Sequence, residues 1–144
     1  DANYSDLGKE FDVPAGNFLR RIILLVQDAT ATRPVRANDE VVRVGIKIPE
    51  LGARLVDVRF DELRAHTWNR GGGVGALFSV ADTATGHLGI PDGFAILDLR
   101  DYFNSVYGLD LRGKKTGDVK LAFTVENYAS GDDTFIYYDQ VAPW

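Results

Sequence analysis

Hydrophobic and polar residues alternate along several segments of the chain, and this pattern predicts β-strands. In Val41–Ile48 the even-numbered positions are all branched and apolar, whereas Arg43, Gly45 and Lys47 lie between them. In Val119–Val125 every odd-numbered position is apolar. A period of two places one side of an extended strand against a core. We therefore predict two half-buried strands, the first with its core-facing side formed by Val42, Val44, Ile46 and Ile48.

Further strands are predicted from shorter or more uniformly apolar runs. Phe18–Gln27 is apolar at most positions and contains several β-branched residues, so we interpret it as a central strand covered on much of both faces. The closing segment Thr134–Val141 is also predicted to be a strand. Its residues Phe135, Tyr137 and Val141 should lie on one side, and Ile136 and Tyr138 should lie on the other. The remaining predicted strands are Leu55–Arg59, Ala76–Ala81 and Phe94–Leu99.

Only two short stretches have helical character, Asp61–His66 and Asp101–Tyr107. Each begins with an Asp suited to an N-terminal cap and is about two turns long, so we expect both helices to bridge strands rather than form a core layer. With so little helix, the second apolar layer must be another sheet. The predicted fold class is therefore all-β, an antiparallel β-sandwich of the jelly-roll type with about 7–8 strands.

Length and composition limit the organisation and the partners. A chain of 144 residues suffices for one core, which we assign to residues 16–144, with residues 1–15 as an N-terminal arm or edge strand. The chain has no cysteine, which excludes thiolate chemistry, and no methionine, which indicates a processed chain or part of a longer product. A net charge of -5 and scattered basic residues argue against direct nucleic-acid binding. The longest apolar run, Ile22–Val26, is too short for a membrane helix, so we expect a soluble domain.

Candidate phosphate and metal sites are weak in this sequence. The glycine-rich segment Arg70–Gly75 precedes a predicted strand rather than the helix that a phosphate-binding loop requires. His66 and His87 are the only histidines and lack the short spacing of metal ligands. Ser130–Asp133 lacks the ordered pattern of a calcium loop, so we interpret it as a hairpin turn. We predict no metal site and no cofactor.

Carboxylate pairs and aromatic residues are the other candidates for function. Asp61 with Glu62, and Asp98 with Asp101, are interpreted as solvated groups at strand ends rather than as acid and base catalysts. No nucleophile lies in a recognisable elbow, so we predict no catalytic residue and no enzymatic activity. The aromatic residues are expected to fill the core and subunit interfaces rather than form a sugar-binding platform. They include Tyr102, Phe103, Tyr107, Tyr128, Tyr137, Tyr138, Trp68 and Trp144.

The order of these segments resembles the jelly rolls of major capsid proteins from tailless icosahedral viruses with an internal membrane. The likeness covers Gly16 to Pro143 and rests on Gly16–Val26, Val41–Ile48, Phe60–His66, Phe94–Leu99, Asp118–Val125 and Phe135–Pro143. Common members of this family carry two jelly rolls, whereas this chain has room for one. It would then be a single-jelly-roll coat protein, a partner of a second coat protein, or a fragment.

The resemblance implies a non-enzymatic coat subunit of a virion assembled in the host cytoplasm. Its partners would be copies of itself in trimeric or pseudo-hexameric capsomers, a second coat or minor capsid protein, and an internal viral membrane. We expect the subunit interface to include residues near both ends of the chain and one loop aromatic, namely Tyr4, Leu7, Phe11, Trp68, Pro143 and Trp144. Deleting either terminal segment should then prevent assembly and leave the monomer folded.

Two other functions share this fold. A carbohydrate-binding or receptor-binding module, such as a viral spike domain, would expose aromatic and polar groups on a concave face. A small β-fold enzyme, such as a glycosidase or a cupin-like protein, would need a carboxylate pair or a histidine cluster at one mouth of the sandwich.

Overall fold

Two antiparallel sheets face each other in the computed structural model, which describes residues 7–28, 35–36, 40–70, 92–126 and 132–142. The strands are β1 (Leu7–Asp12), β2 (Phe18–Asp28), β3 (Val35–Arg36), β4 (Val41–Ile48), β5 (Ala53–Arg59), β6 (Phe94–Asp98), β7 (Leu109–Asp110), β8 (Lys120–Val125) and β9 (Asp133–Val141). The helices are α1 (Phe60–Arg70), α2 (Leu99–Phe103) and a 3-10 turn at Pro49–Leu51. The predicted antiparallel sandwich is confirmed. The predicted strand Ala76–Ala81 lies outside the described residues.

One sheet has the strand order β1-β8-β4-β5, and β2 organises the other. Strand β9 pairs with β2 from Phe18 to Gln27, and β7, β6 and β3 pair with successive stretches of its opposite side. This confirms that Phe18–Gln27 is a central strand. Among the residues that the structure describes, no helix has the length and apolar character needed to cross a membrane.

The core lies between the sheets and is formed by the alternating positions of each strand. On β2, Ile22, Leu24 and Val26 are fully buried. Opposite them, β8 contributes the odd-numbered apolar residues from Leu121 to Val125, as its alternation predicts. Ile136 and Tyr138 of β9 pack against the same core, whereas Phe135 and Tyr137 are exposed. The predicted orientation of these four β9 side chains is confirmed.

A β-bulge changes the predicted alternation at the start of β4. The register of β4 against β8 shifts between Val41 and Arg43, so the two residues Val41 and Val42 occupy one step of the ladder. As a result Val41 is buried and Val42 is only half-buried. Assigning Val42 to the core-facing side was therefore wrong, because a bulge reverses the side on which the preceding residue lies.

Both helices differ from the sequence prediction. Helix α1 is longer than Asp61–His66 and packs Phe60 and Leu63 into the core, so it does more than bridge two strands. Helix α2 begins earlier than predicted. Its N-cap is Asp98, whose side chain accepts a hydrogen bond from the backbone N–H of Arg100, so Asp101 is not the cap. The cap was misassigned because both aspartates precede apolar residues, and only the strand end at Asp98 decides between them.

Candidate assembly surface

The outward side of the β2 sheet is apolar, although a sheet that faces water on one side normally carries polar residues there. Cross-strand pairing places three residues in each of two rows over β6, β2 and β9. The first row is Phe94, Leu25 and Phe135, and the second is Ile96, Ile23 and Tyr137. We call these six side chains the outer face.

The outer face is partly exposed. Phe135 has 41% of its surface accessible and Tyr137 has 57%, while the four residues on β2 and β6 are half-buried. Exposed apolar side chains that form a contiguous patch mark binding surfaces more often than isolated ones do. The outer face therefore has the character of a protein contact surface.

A charged row borders the outer face at one end. Asp98, Arg21 and Asp139 are cross-strand neighbours on β6, β2 and β9. The Nε of Arg21 donates to Asp139 over 2.7 Å, and Arg20 donates to the same carboxylate. Burial alone would raise the pKa of Asp139, but the two arginines lower it. The sheet thus changes within one row from an apolar to an ionic surface.

An arginine-lined pocket of about 850 Å³ opens beside this row. Its guanidinium groups come from three elements, with Arg21 on β2, Arg70 on α1 and Arg100 on α2. Leu63 and Ile96 supply apolar lining, and Ile96 also belongs to the outer face. We call this cavity the arginine pocket. Its position makes it continuous with the outer face.

Asp98 is the buried carboxylate of the arginine pocket. Its oxygens accept hydrogen bonds from the backbone N–H and the guanidinium of Arg100 and from Arg70. Burial by itself would raise the pKa of Asp98, yet these hydrogen bonds and positive charges lower it. The expectation that Asp98 is a solvated group was wrong, since only 8% of the residue is exposed. Its structural partners make it a fixed counter-ion rather than a general acid.

The residues predicted for the subunit interface lie in different surroundings. Trp68 is 41% exposed on α1. Phe11 is half-buried and its ring lies 5.3 Å from that of Phe123 in the same subunit. Leu7 is the first residue of β1, an edge strand paired with β8. An interface role for these three residues stays a prediction. The other three, Tyr4, Pro143 and Trp144, lie outside the described residues.

Among the other candidates, His66 and Tyr102 line the arginine pocket together with Asp98 and Asp101. His66 is exposed, and His87 and the segment 71–91 lie outside the described residues. Exposed aromatic residues occur on separate elements, with Trp68 on α1, Tyr102 on α2 and Tyr137 on β9. The outer face was missed from the sequence because it depends on the register between β6, β2 and β9. The signal that was available was the apolar character of both sides of β2.

One acidic cluster lies away from the outer face. Single carboxylate oxygens of Asp28, Glu40 and Asp132 approach one another within 4.8 Å, and Glu40 and Asp132 are buried. Asp132 falls in Ser130–Asp133, which the sequence predicts to be a turn; residues 130 and 131 lie outside the described residues. The three acids come from the end of β2 and from the residues before β4 and β9, so local sequence patterns gave no signal of their proximity.

Comparison with known proteins identifies a shared architecture. Neither a family model nor a curated protein sequence matches the chain. Among solved structures, the crystal structure of the STIV major capsid protein (MCP) matches with a TM-score of 0.62 over 94% of this chain, at 19% sequence identity. The chain shares the fold of the matched part of that protein. The resemblance to jelly-roll capsid proteins, predicted from the order of segments, is thereby confirmed at the level of fold.

The two proteins differ in length. This chain spans 39% of the length of the STIV MCP.

Proposed function

We propose that this chain is a structural subunit of a viral coat and that it assembles with copies of itself through the outer face. The observation that carries the proposal is an apolar outward surface on a sheet whose inner surface already fills the core. A domain that works alone in water gains nothing from Ile23, Leu25, Phe135 and Tyr137 on that side. A domain that packs against a neighbour does.

Association through the outer face would remove apolar area from water. Burying a large apolar side chain contributes about 1.5–3 kcal/mol relative to leaving it exposed. Phe135 and Tyr137 are the most exposed members of the outer face, so they gain most when a neighbour covers them. Rigid aromatic residues are enriched at the centres of subunit contacts for this reason.

The repeated geometry of a coat agrees with a β-sandwich that has an apolar contact surface on one side. Closed shells use the same modest contact many times, and each copy must offer two complementary patches or one self-complementary patch. We propose that the assemblies are trimers or pseudo-hexameric capsomers. We also propose that the chain is located in the virion. Contacts with a second coat protein, a minor protein or an internal membrane, and assembly in the host cytoplasm, stay predictions from the family resemblance.

Three of the acidic residues that the sequence offered as candidate acids or bases support a structural role. Asp98 is held as a carboxylate by two arginines and a backbone N–H. Asp61 and Glu62 are exposed at the start of α1. A general acid needs a raised pKa near the working pH, whereas the pKa of Asp98 is lowered. We therefore propose a subunit without catalytic activity.

The test is the mass of the purified chain in solution, measured by sedimentation velocity, together with electron microscopy of what it forms. We expect trimers or larger assemblies. The double variant Phe135→Ser/Tyr137→Ser should shift the protein to monomers while leaving its circular dichroism unchanged. The matched control is Leu51→Ser/Leu55→Ser, which removes two exposed leucines near the other sheet and should assemble like the parent chain.

A folded parent chain that stays monomeric at every concentration would contradict the proposal. If that monomer also gave a signal on a glycan array, the carbohydrate-binding or receptor-binding module would take its place.

A further inference from the structure

The arginine pocket has more hydrogen-bond donors than its own carboxylates use. A guanidinium group carries five N–H donors. Arg21 donates from Nε to Asp139, and Arg70 donates one bond each to Asp98 and Asp101. Arg100 uses Nε and one terminal nitrogen on Asp98. Donors on all three arginines thus stay available to a further acceptor, as far as the described residues are concerned.

The charge around the pocket is unusual for this chain. Three arginines (Arg21, Arg70 and Arg100) and two carboxylates (Asp98 and Asp101) line the pocket, a local excess of one positive charge. The whole chain carries a net charge of -5, from 21 acidic and 16 basic residues. The lowered pKa of the buried Asp98 supports a positive local potential, because burial alone would raise that pKa. A carboxylate is thus stabilised here, although the rest of the protein repels one.

Size and lining fit a side chain rather than a bare ion. A volume of about 850 Å³ lies in the range of ligand clefts. Leu63 and Ile96 are apolar members of the lining, which suits the methylene groups of an acidic side chain. Arginine also binds carboxylates through two parallel hydrogen bonds, which fixes the direction of the incoming group.

We infer that the arginine pocket receives an acidic side chain from a second copy of this chain. The inference rests on the proposed function. In such a contact the arginine pocket would supply specificity, and the outer face would supply apolar area. Copies with an excess of acid repel one another unless the contact pairs some of that acid with cations. The pocket supplies these cations, and Ile96 and Arg21 connect it directly to the outer face and its charged row.

Binding of a carboxylate is tested first on the monomeric Phe135→Ser/Tyr137→Ser variant, so that assembly does not interfere. A tetraglutamate peptide is added, and the side-chain Nε–H signals of the arginines are followed by NMR against sodium chloride at equal ionic strength. We expect shifts at Arg21, Arg70 and Arg100 that saturate, and loss of this binding in Arg70→Glu. Shifts no larger than those with chloride would overturn the inference.

Assembly of the parent chain is the second measurement. Arg70→Glu should weaken association at least about tenfold at low salt, since it places a like charge in the contact. The matched control is Arg59→Glu, which makes the same charge change at a residue of similar exposure, with 58% against 53% of the side chain accessible. Equal loss in both variants would overturn the inference.

The two proposals fail in different ways. A monomeric parent chain contradicts the coat proposal, and peptide binding without self-association would then rule out a second copy as the occupant. If the parent chain assembles and Arg70→Glu does not weaken its association, the coat proposal is retained and the proposed role of the arginine pocket is wrong.

Discussion

The hydroxyl of Thr67 on α1 accepts a hydrogen bond from the backbone N–H of Ile96 on β6, over 2.9 Å. The same hydroxyl donates to the carbonyl of Leu63 within the helix, over 2.7 Å. Strand β6 pairs with β2 on one side, and α1 lies along its other side. A helix side chain thus satisfies a backbone group that an uncovered sheet edge would leave open for pairing with another chain.

We expect Thr67→Val to destabilise the fold by about 1–3 kcal/mol, because it fills the same space but leaves the partly buried N–H of Ile96 without its acceptor. Urea denaturation at neutral pH measures the effect as a lower midpoint with an unchanged slope. Thr116→Val, at an exposed position, is the control and should leave the midpoint in place. Equal midpoints for both variants would show that the hydroxyl of Thr67 contributes nothing.

Asp98 should make the stability of the fold sensitive to acid. Its pKa in the folded state is lowered from the ordinary value of 3.8, so its contribution is present above that value and is lost as the pH falls through the folded value. Asp98→Asn should therefore reduce the free energy of unfolding by about 1–3 kcal/mol at pH 7. Below pH 4 the difference between the variant and the parent chain should become smaller.

The control for Asp98 is Asp110→Asn. Interaction with Arg112 lowers the pKa of Asp110 to about 2, but the pair is exposed, so solvent screens it and little stability should be lost at pH 7. Thermal melts of both variants between pH 2 and 7 measure the difference. A loss for Asp110→Asn as large as that for Asp98→Asn would contradict the role of burial.

Gly108 lies where β7 approaches β2, and it should not tolerate a side chain. Its φ is +82°, and a Cβ atom built on it would lie 2.3 Å from the carbonyl oxygen of Leu19. Gly108→Ala should therefore cost more than about 1 kcal/mol. Gly113→Ala meets no atom within 4 Å and should change the melting temperature little. Comparable melting temperatures for the two variants would refute the close approach at Gly108.

Phe11 should contribute to the stability of the single subunit, whatever else it contacts. Its ring packs on Phe123, and β1 pairs with β8 from Leu7 to Asp12. We expect Phe11→Ala to destabilise the domain by about 1–3 kcal/mol, less than a fully buried phenylalanine would. Val106→Ala, at a position 79% exposed, is the control. Chemical denaturation of dilute protein separates this effect from assembly.

The same contacts bear on truncation of the N-terminus. A deletion that extends through Phe11 removes most of β1 and uncovers β8, so it should weaken the monomer as well as any assembly. The sequence predicted an N-terminal arm or an edge strand for residues 1–15, and β1 is an edge strand of its sheet.

Much of the fold follows from local patterns in the sequence. The strands at Val41–Ile48 and Phe18–Gln27 could be predicted because their apolar residues recur at short, regular spacing. The bulge at Val42 could not, since it depends on the register of β4 against β8, far along the chain. The helix cap at Asp98 could not either, because Asp98 and Asp101 offer the same local pattern and only the end of β6 decides between them.

The candidate surface was harder to predict than the fold. Alternation in β9 indicated that Phe135 and Tyr137 share one side, but not that this side faces outward. Their alignment with Leu25 and Ile23 depends on the register of β9 against β2. The arginine pocket was harder still to predict from the sequence, because its three guanidinium groups are brought together only by the packing of α1 and α2 beside β2.

Within the described parts of the chain, strand β2 is the one element through which β3, β6, β7 and β9 are hydrogen-bonded into a sheet. Detaching it would leave those four strands without a common neighbour, so this half of the sandwich opens as a unit or not at all. In a shell made of such subunits, a pull on β6 or β9 would reach the other strands of this sheet through β2.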